Sequence, residues 1–232
     1  MIEEPPLLTV AKHLRRPTDE QIAAFQGVPT GFVADAMDGT GALAPQIAPL
    51  GEGRDLPRMA AGPALTADCG PADVLAMFAA LQLLRPGDIL VSTVHGHQGC
   101  AAGGDRTMGM VKNNGGAAFV TDGPMRDYDG IVTVGVPVWC TGLSPASPST
   151  TGPGVVGLPI VIGGRRVATG DMVVADRDGV VIVPFEDVAA VITRLAEIKV
   201  LEANLDAEVA AGRKHFDHVD KLMRSDAVRY TE

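Results

Sequence analysis

The sequence predicts one α/β domain, and three observations support that fold class. Apolar residues make up 46% of the 232 residues and are spread along the chain, which is typical of a globular protein. A strand, a helix and a second strand follow one another between Ile89 and Thr121, as in a βαβ unit. Between Ile160 and Pro184, alternating apolar runs are broken by Gly-Gly and Asp-Gly, which indicates β-hairpins.

The N-terminal part is predicted to contain two short helices and then a loop. Thr18 followed by Gln21 forms a capping-box pattern, which starts a helix that runs through about Phe25. Thr30 opens a second helix. From Gly39 to Pro57 the chain is rich in Gly, Pro and Ala without periodicity, so we expect a loop that wraps the body.

The middle of the chain carries the predicted core. Its elements are a strand at 58–68, a buried helix from 73, a strand at 89–92, a helix at 105–113, a strand at 117–121 and a short strand at 137–140. Asp122-Gly123-Pro124 ends the fifth of these elements, so Arg126 and Asp127 follow the carboxyl end of a strand. Open α/β sheets usually bind ligands at that edge.

The C-terminal part is predicted to be hairpins followed by a long helix. The Ser/Pro/Thr/Gly stretch at 144–154 is typical of an exposed or interface loop, and the hairpins follow it. An apolar stripe then predicts an amphipathic helix over 185–211, with a polar tail after it. We therefore divide the chain into a lead-in with its wrapping loop at 1–57, an α/β core at 58–184, and a helix with its tail at 185–232.

Composition argues against several classes of partner. A net charge of -9 and an aromatic content of 4% disfavour nucleic acid, which binds basic grooves and aromatic faces. No stretch of 18 apolar residues predicts a membrane span, and residues 1–17 do not resemble a secretory signal. Cys69, Cys100 and Cys140 are odd in number and widely spaced, so we expect reduced thiols and a cytoplasmic location.

Two sets of residues compete as the functional site. His95 and His97, and likewise His215 and His218, have short spacings, but without Cys or acidic partners such pairs are weak signals for a metal. They are more often solvated side chains.

The segment from Gly103 to Asp127 is the stronger candidate. A helix that starts at Gly103-Gly104 offers free N–H groups and a positive dipole end, which suit a carboxylate. Asp105 lies in its first turn, where an acid is also common for purely structural reasons. An isolated Arg-Asp pair such as Arg126-Asp127 usually contributes little to stability. A βαβ unit, however, would place this pair beside Asp105 and the Gly103-Gly104 turn.

These residues carry a family resemblance. Gly104-Asp105, twenty intervening residues and Arg126-Asp127 resemble the Gly-x3-Gly-Asp-x20-Arg-Asp motif of the 4-hydroxy-4-methyl-2-oxoglutarate aldolase family, which also contains the regulator of ribonuclease activity A. The Gly-rich hairpins up to Pro184 are similar as well, so the resemblance spans roughly residues 30 to 212. One departure is that Cys100 stands where the motif has its first glycine.

The resemblance implies a fold, an assembly and a set of site residues. It implies a swivelling β/β/α-type fold and a homotrimer or dimer of trimers with active sites between subunits. It implies that Gly104, Asp105, Arg106 and Thr107 contact the substrate and that Arg126 binds it. Asp127 would hold a divalent metal (Mg²⁺ or Mn²⁺). A glutamate would come from the neighbouring subunit's C-terminal helix, with Glu202 as the first candidate and Glu197 as the second.

The implied activity is a metal-dependent lyase that acts on a 2-oxo acid. Aldol cleavage of 4-hydroxy-4-methyl-2-oxoglutarate and decarboxylation of oxaloacetate both pass through a pyruvate enolate, so one site could serve a small 2-oxo dicarboxylic acid in either reaction. Arg126 would stabilise the enolate charge, and Asp105 and Glu202 would position or transfer the proton of the C4 hydroxyl.

The sequence leaves three alternatives open. The first is a Schiff-base mechanism on Lys112. The second is a non-catalytic regulator that binds a ribonuclease, because one fold can serve different functions. The third is a quinone methyltransferase, which is disfavoured because no Gly-rich dinucleotide-type fingerprint follows an early strand.

Overall fold

Two β layers lie at the centre of the protein, whose residues 6–232 are described by a computed structural model. The strands are β1 (Leu8–Val10), β2 (Ala48–Pro49), β3 (Ala60–Asp68), β4 (Ile89–Thr93), β5 (Ala118–Thr121), β6 (Val138–Cys140), β7 (Gly154–Val156), β8 (Ile160–Ile162), β9 (Arg165–Val167), β10 (Met172–Asp176) and β11 (Gly179–Val183).

The first layer is a mixed sheet with a parallel centre. Its order is β1-β7-β3-β4-β5-β6-β2, and β3, β4, β5 and β6 run parallel to one another. The carboxyl ends of these strands therefore share one edge, as the βαβ pattern predicts. Strand β3 joins the two layers, because residues 64–68 pair with β4 while residues 60–63 pair with β10.

Hairpins form the second layer. Strands β8 and β9 pair through a two-residue turn, Gly163-Gly164, in which both φ angles are positive (54° and 76°). Glycine adopts such angles without strain, which explains why the Gly-Gly signal located this hairpin correctly. Strands β10 and β11 form the second predicted hairpin, with Asp176 opposite Gly179.

Helices cover both β layers. They are α1 (Asp19–Ala24), α2 (Thr30–Ala36), α3 (Leu75–Ala80), α4 (Asp105–Asn113), α5 (Tyr128–Val134), α6 (Val188–Ala210) and α7 (Asp217–Met223). Helices α3, α4 and α5 pack on the parallel sheet, whereas α1, α2 and α6 share a core cluster with β10 and β11. The predicted α/β fold with N-terminal helices and a long C-terminal helix is confirmed.

Side chains along β4 alternate between the two faces of the sheet and so belong to two different core clusters. Leu90 belongs to the core under α3 and α4, while its neighbours Ile89 and Val91 face the hairpin layer together with Trp139. Successive strand residues point to opposite faces, so β4 is buried on both sides. Between residues 6 and 232, no helix combines the length and hydrophobicity that a membrane crossing requires.

Five elements differ from the prediction. Strand β2 lies inside the predicted loop at 39–57 and pairs with β6. Strands β1 and β7 pair with each other across most of the chain, so no local pattern marks them. Helix α5 has a Gly-Ile-Val-Thr-Val sequence of poor helix formers, and it is stabilised by packing on α4 with Ile131 fully buried. The predicted polar tail contains α7, whose residues are all exposed or half-buried.

The predicted loop at 144–154 crosses the carboxyl edge of the sheet. We call residues 141–153 the strap. Three of its carbonyl oxygens accept hydrogen bonds from backbone amides outside the strap. Gly142 O accepts from Met125 N (2.8 Å), Ala146 O from Ala101 N (3.0 Å) and Ser149 O from Val74 N (3.0 Å). It is therefore fixed to the segments that follow β5, β4 and β3.

Buried Asp73 holds the far end of the strap. One carboxylate oxygen accepts from Leu75 N, and the other accepts from Ser149 Oγ (2.8 Å), Thr151 N (2.7 Å) and Gly152 N (3.0 Å). Burial alone would raise the pKa of Asp73, but these hydrogen bonds favour the ionised form and the net effect is a lowered pKa.

Replacing Asp73 with Asn should lower the free energy of unfolding by about 2 kcal/mol near neutral pH, because the amide has one acceptor oxygen where the carboxylate uses two. Since the folded-state pKa is lowered, the carboxylate's contribution is complete above its unfolded pKa, about 3.9, and is lost as the pH falls through the folded value. Urea denaturation followed by fluorescence of buried Trp139, the single tryptophan, measures this.

The exposed Asp206→Asn variant serves as the control for that experiment, since Asp206 lies on the outer surface of α6. A stability gap between wild type and Asp73→Asn that stayed constant from pH 7 to well below the unfolded pKa would contradict the assignment.

Candidate active site

The loops that follow β4 and β5 meet at the carboxyl edge of the sheet. Arg126 N donates to Gly103 O (3.0 Å), and Ala102 N donates to Pro124 O (2.7 Å). These two backbone bonds place Arg126 and Asp127 beside the N-terminus of α4, as the motif spacing predicts.

Gly104 permits this close approach. A Cβ atom at position 104 would lie 2.5 Å from Asp127 Oδ2 and 3.1 Å from Arg126 Cγ. The φ angle of Gly104 is -151°, which any residue adopts, so glycine is needed here for space and not for backbone conformation.

The predicted site residues line one open cavity of about 460 Å³. Its lining residues are Phe78, Gly104, Asp105, Arg106, Thr107, Met110, Arg126 and Asp127. The cavity therefore brings together all of the positions that the motif assigns to the substrate and the metal. A cleft with a few convergent polar groups is the usual form of a small-molecule site.

The Arg126 guanidinium points to the strap. Its Nη1 donates to Ser147 Oγ at 2.7 Å, whereas its Nε lies 3.4 Å from Asp127 Oδ2. The two charged side chains are 37% and 44% exposed, so solvent screens their attraction. Both charges therefore remain available to a ligand. Sequence reasoning missed Ser147, which lies 21 residues from Arg126 in a stretch that has no catalytic pattern.

Asp127 begins α5 in the left-handed conformation, with φ 60° and ψ 46°. Its carboxylate makes no capping bond to that helix and lines the cavity, where its polar contact is the one to Arg126 Nε. Within residues 6–232, no group of three or more His, Cys, Asp or Glu side chains could enclose a metal. A carboxylate with open surroundings instead fits Mg²⁺, which keeps several water ligands.

Asp105 and Arg106 occupy the first turn of α4. Asp105 Oδ1 accepts from Arg106 N (2.6 Å), so one of the amides expected to contact substrate is engaged by this carboxylate. Gly130 on α5 lies so close that an added Cβ would come within 2.6 Å of Asp105 Oδ2. Asp105 therefore lies close against α5 at the cavity.

The cavity of a single chain does not include Glu202 or Glu197. Both residues lie on α6, which packs with α1 and α2 on the hairpin side of the molecule. Glu197 is exposed and Glu202 is half-buried. The prediction that one of them enters a neighbouring subunit's site stays a prediction.

The competing residues have structural contacts. Lys112 Nζ donates to Val134 O (2.6 Å) at the end of α5 and does not line the cavity, so the Schiff-base alternative loses its well-placed lysine. His95 Nε2 lies 2.8 Å from Asp68 Oδ1 and His215 Nδ1 lies 2.7 Å from Asp220 Oδ2, while His97 packs against Gly99. None of these histidines lines the cavity.

The cysteines are buried. Burial raises the pKa of Cys69 and of Cys140 to about 11, so both thiols stay protonated at neutral pH. Cys100, at the position where the motif has glycine, is 8% exposed and precedes the Gly103-Gly104 turn. The substitution is therefore accommodated in the core beside the site.

Comparison with known proteins identifies the family of the chain. Residues 30–182 match the family described as RraA-like, Aldolase/RraA. The chain belongs to the RraA-like family. A protein of Halalkalibacterium halodurans, provisionally named 4-hydroxy-4-methyl-2-oxoglutarate aldolase, is 36% identical over 163 residues, which cover 70% of this chain and 76% of the relative.

Solved RraA-like structures share the fold. A Streptomyces coelicolor protein, described as an unusual member of the RNase ES inhibitor RraA family, has a TM-score of 0.72 at 28% identity and covers 83% of this chain and 100% of its own. A Geobacillus kaustophilus structure, described as an S-adenosylmethionine:2-dimethylmenaquinone methyltransferase, has a TM-score of 0.61 at 28% identity, with 67% and 94% coverage. The proteins that this chain resembles thus include one named as an aldolase and others named for different roles.

Replacing Gly104 with Ala should lower kcat/KM for any reaction at this site by about 10²-fold, because the new methyl group displaces Asp127 and Arg126. Steady-state kinetics and urea denaturation measure the two effects separately. Gly109→Ala on the same helix is the matched control, because a Cβ there meets nothing within 4 Å. Equal activity of the two variants would refute the close-contact argument.

Proposed function

We propose that this protein is a divalent-metal-dependent lyase that cleaves a C–C bond of a 2-oxo acid by way of a pyruvate enolate. Aldol cleavage of a 4-hydroxy-4-methyl-2-oxoglutarate-type substrate and decarboxylation of oxaloacetate are the two reactions it would catalyse. The observation that carries the proposal is the convergence of the Arg126 guanidinium and the free Asp127 carboxylate on the cavity at the N-terminus of α4.

Anion binding in the cavity rests on Arg126 and α4. The helix N-terminus contributes a partial positive charge, and the guanidinium adds a full charge with several N–H donors. The Arg106 side chain is exposed at the same rim and makes no hydrogen bond or ion pair within residues 6–232. A small dicarboxylate would therefore meet two arginines, beside Asp105 and Asp127, on a protein whose net charge is -9.

Asp127 supports the metal dependence. A divalent cation bound there would supply Lewis acidity to the C1 carboxylate and C2 oxygen of the substrate. The Asp127 carboxylate would hold the cation directly or through water, and Arg126 would donate to the oxygen on which the enolate charge develops. Asp105, at the same rim, would orient the C4 hydroxyl whose proton leaves in aldol cleavage.

Glu202 fits a role in a neighbouring subunit because of its place on α6. One face of this helix carries Val191, Leu195, Ile198, Glu202, Leu205 and Val209 at the three- and four-residue spacing of a buried stripe. Only the first two of these are buried in the chain. A carboxylate in an apolar stripe suggests that the distal half of α6 packs on another subunit.

An apolar groove beside the cavity could receive such a helix. It has a volume of about 590 Å³, shares Phe78 and Met110 with the cavity, and also includes Leu81. Contacts between two different surfaces of identical subunits can close into a ring, which supports a homotrimer or dimer of trimers. Glu202 would then assist Asp105 in proton transfer, with Glu197 as the second candidate.

Purified protein should release pyruvate from oxaloacetate or 4-hydroxy-4-methyl-2-oxoglutarate only with Mg²⁺ or Mn²⁺ present. Arg126→Ala should lower kcat by about 10²–10³-fold because a preorganised donor to the enolate oxygen is lost. Asp127→Asn should raise the Mg²⁺ concentration needed for half-maximal activity. A coupled lactate dehydrogenase assay, with and without chelator, measures both effects.

Two outcomes would refute this mechanism. Full activity in excess chelator would exclude the metal, and a protein adduct trapped by borohydride in the presence of substrate would indicate a Schiff base. The control is Lys112→Met, which removes the bond to Val134 O at a distance from the cavity and should keep activity in a properly folded protein.

Arg126→Ala and Glu202→Gln should complement each other when co-expressed. If each site combines Arg126 of one subunit with Glu202 of another, oligomers that mix the two variants at random contain some sites with both residues unchanged. About a quarter of the sites are then intact, because each of the two subunits is the suitable variant in about half of the cases. Activity of the mixed oligomer against each single variant measures this. Glu197→Gln is the matched comparison, and an absence of recovery with either glutamate variant would place the acid elsewhere.

A second candidate function is supported by the ribonuclease inhibitor named among the similar structures. As a regulator, the protein would act by surface docking and would need neither Arg126 nor Asp127. Inhibition of an RNase E-type enzyme by both wild type and Asp127→Asn, with no pyruvate released, would favour that role over the lyase.

A further inference from the structure

We infer that Ser147 is a positioning residue that holds the Arg126 guanidinium on the strap side of the cavity and away from Asp127. The inference rests on the proposed lyase function, because it concerns how the same site is kept ready for substrate and cation. Ser147 itself does not line the cavity and lies in the strap.

The geometry shows which contact the guanidinium prefers. Arg126 Nη1 donates to Ser147 Oγ at 2.7 Å, which is the distance of a strong charge-assisted hydrogen bond. Its Nε lies 3.4 Å from Asp127 Oδ2, which is longer than such a bond requires. The contact with the serine is thus the shorter of the two, and the guanidinium makes no close ion pair with the adjacent carboxylate.

The contact with Ser147 affects both charges of the site. Without a tether, the flexible Arg126 side chain would turn to its nearest anion, which is Asp127. A close pair would neutralise the guanidinium that the substrate needs and cover the carboxylate that the cation needs. The hydroxyl of Ser147 accepts from Arg126 without adding a negative charge to a cavity that Asp105 and Asp127 already line.

The strap makes Ser147 a fixed tether. Its neighbours on both sides are bonded to the core, since Ala146 O accepts from Ala101 N (3.0 Å) and Ser149 O accepts from Val74 N (3.0 Å). Asp73 holds Ser149 Oγ in addition. Ser147 Oγ is therefore placed relative to the Gly103-Gly104 turn by backbone bonds, although its side chain is exposed.

The test compares Ser147→Thr with Ser147→Val, two side chains of nearly equal shape of which only threonine keeps the hydroxyl. Two quantities are measured: kcat/KM for pyruvate release from oxaloacetate, and Mn²⁺ affinity by electron paramagnetic resonance without substrate. We expect Ser147→Val to lower kcat/KM and weaken Mn²⁺ binding, each by about tenfold, and Ser147→Thr to restore both. Thr150→Val, an exposed position in the same strap, is the control.

The outcomes separate this inference from the proposed function. If wild type is active but Ser147→Val equals Ser147→Thr in both measurements, the positioning role is wrong while the lyase stands. If wild type neither binds Mn²⁺ nor releases pyruvate, the proposed function fails and the inference fails with it. Thermal unfolding of the variants identifies a loss that is due to misfolding, and in that case Ser147→Ala repeats the test.

Discussion

The site depends on the contact between two loops, one after β4 and one after β5. The backbone bond from Arg126 N to Gly103 O brings them together, and the missing side chain at Gly104 lets Asp127 lie against the start of α4. Opposite charges and a helix dipole thereby converge without being neutralised by a short ion pair. The parallel sheet underneath makes this possible, because it brings the ends of two strands to the same edge.

Local sequence signals predicted the parts of the fold that local interactions stabilise. The bounds of α4 agree with the pattern because glycines precede and follow it, and the Gly163-Gly164 turn defines its hairpin unambiguously. Strands β1 and β7 could not be found in this way, since their partners are distant in sequence. Helix α5 was missed because packing on α4 outweighs its weak intrinsic propensity.

In the candidate site, too, some residues could be predicted from the sequence and others depend on contacts between distant segments. The motif located Gly104, Asp105, Arg126 and Asp127, and the structure places all four at one cavity. Ser147 could not be predicted, because its contact with Arg126 depends on where the strap crosses the sheet edge. The motif also predicted one contact that the structure does not leave available. It would leave the backbone N–H of Arg106 free for substrate, but this N–H donates to the Asp105 carboxylate.

Proteins that share this fold are named for different roles, so a role has to be inferred from the residues of the site and not from the fold. Here the distinguishing features are side chains at the cavity. The strap and its anchor Asp73 are features of the fold that a docking protein could also retain, whereas a free carboxylate at position 127 has no evident structural purpose.

The left-handed backbone at Asp127 also restricts how this position can evolve. At φ 60°, asparagine and glycine are tolerated along with aspartate, while branched side chains are strained. One base change in an aspartate codon gives asparagine or glycine, and either substitution removes the negative charge with little cost to the fold. If the proposed role of Asp127 holds, a single mutational step would remove the chemistry and keep the shape, which is a short route from catalyst to binding protein on this scaffold.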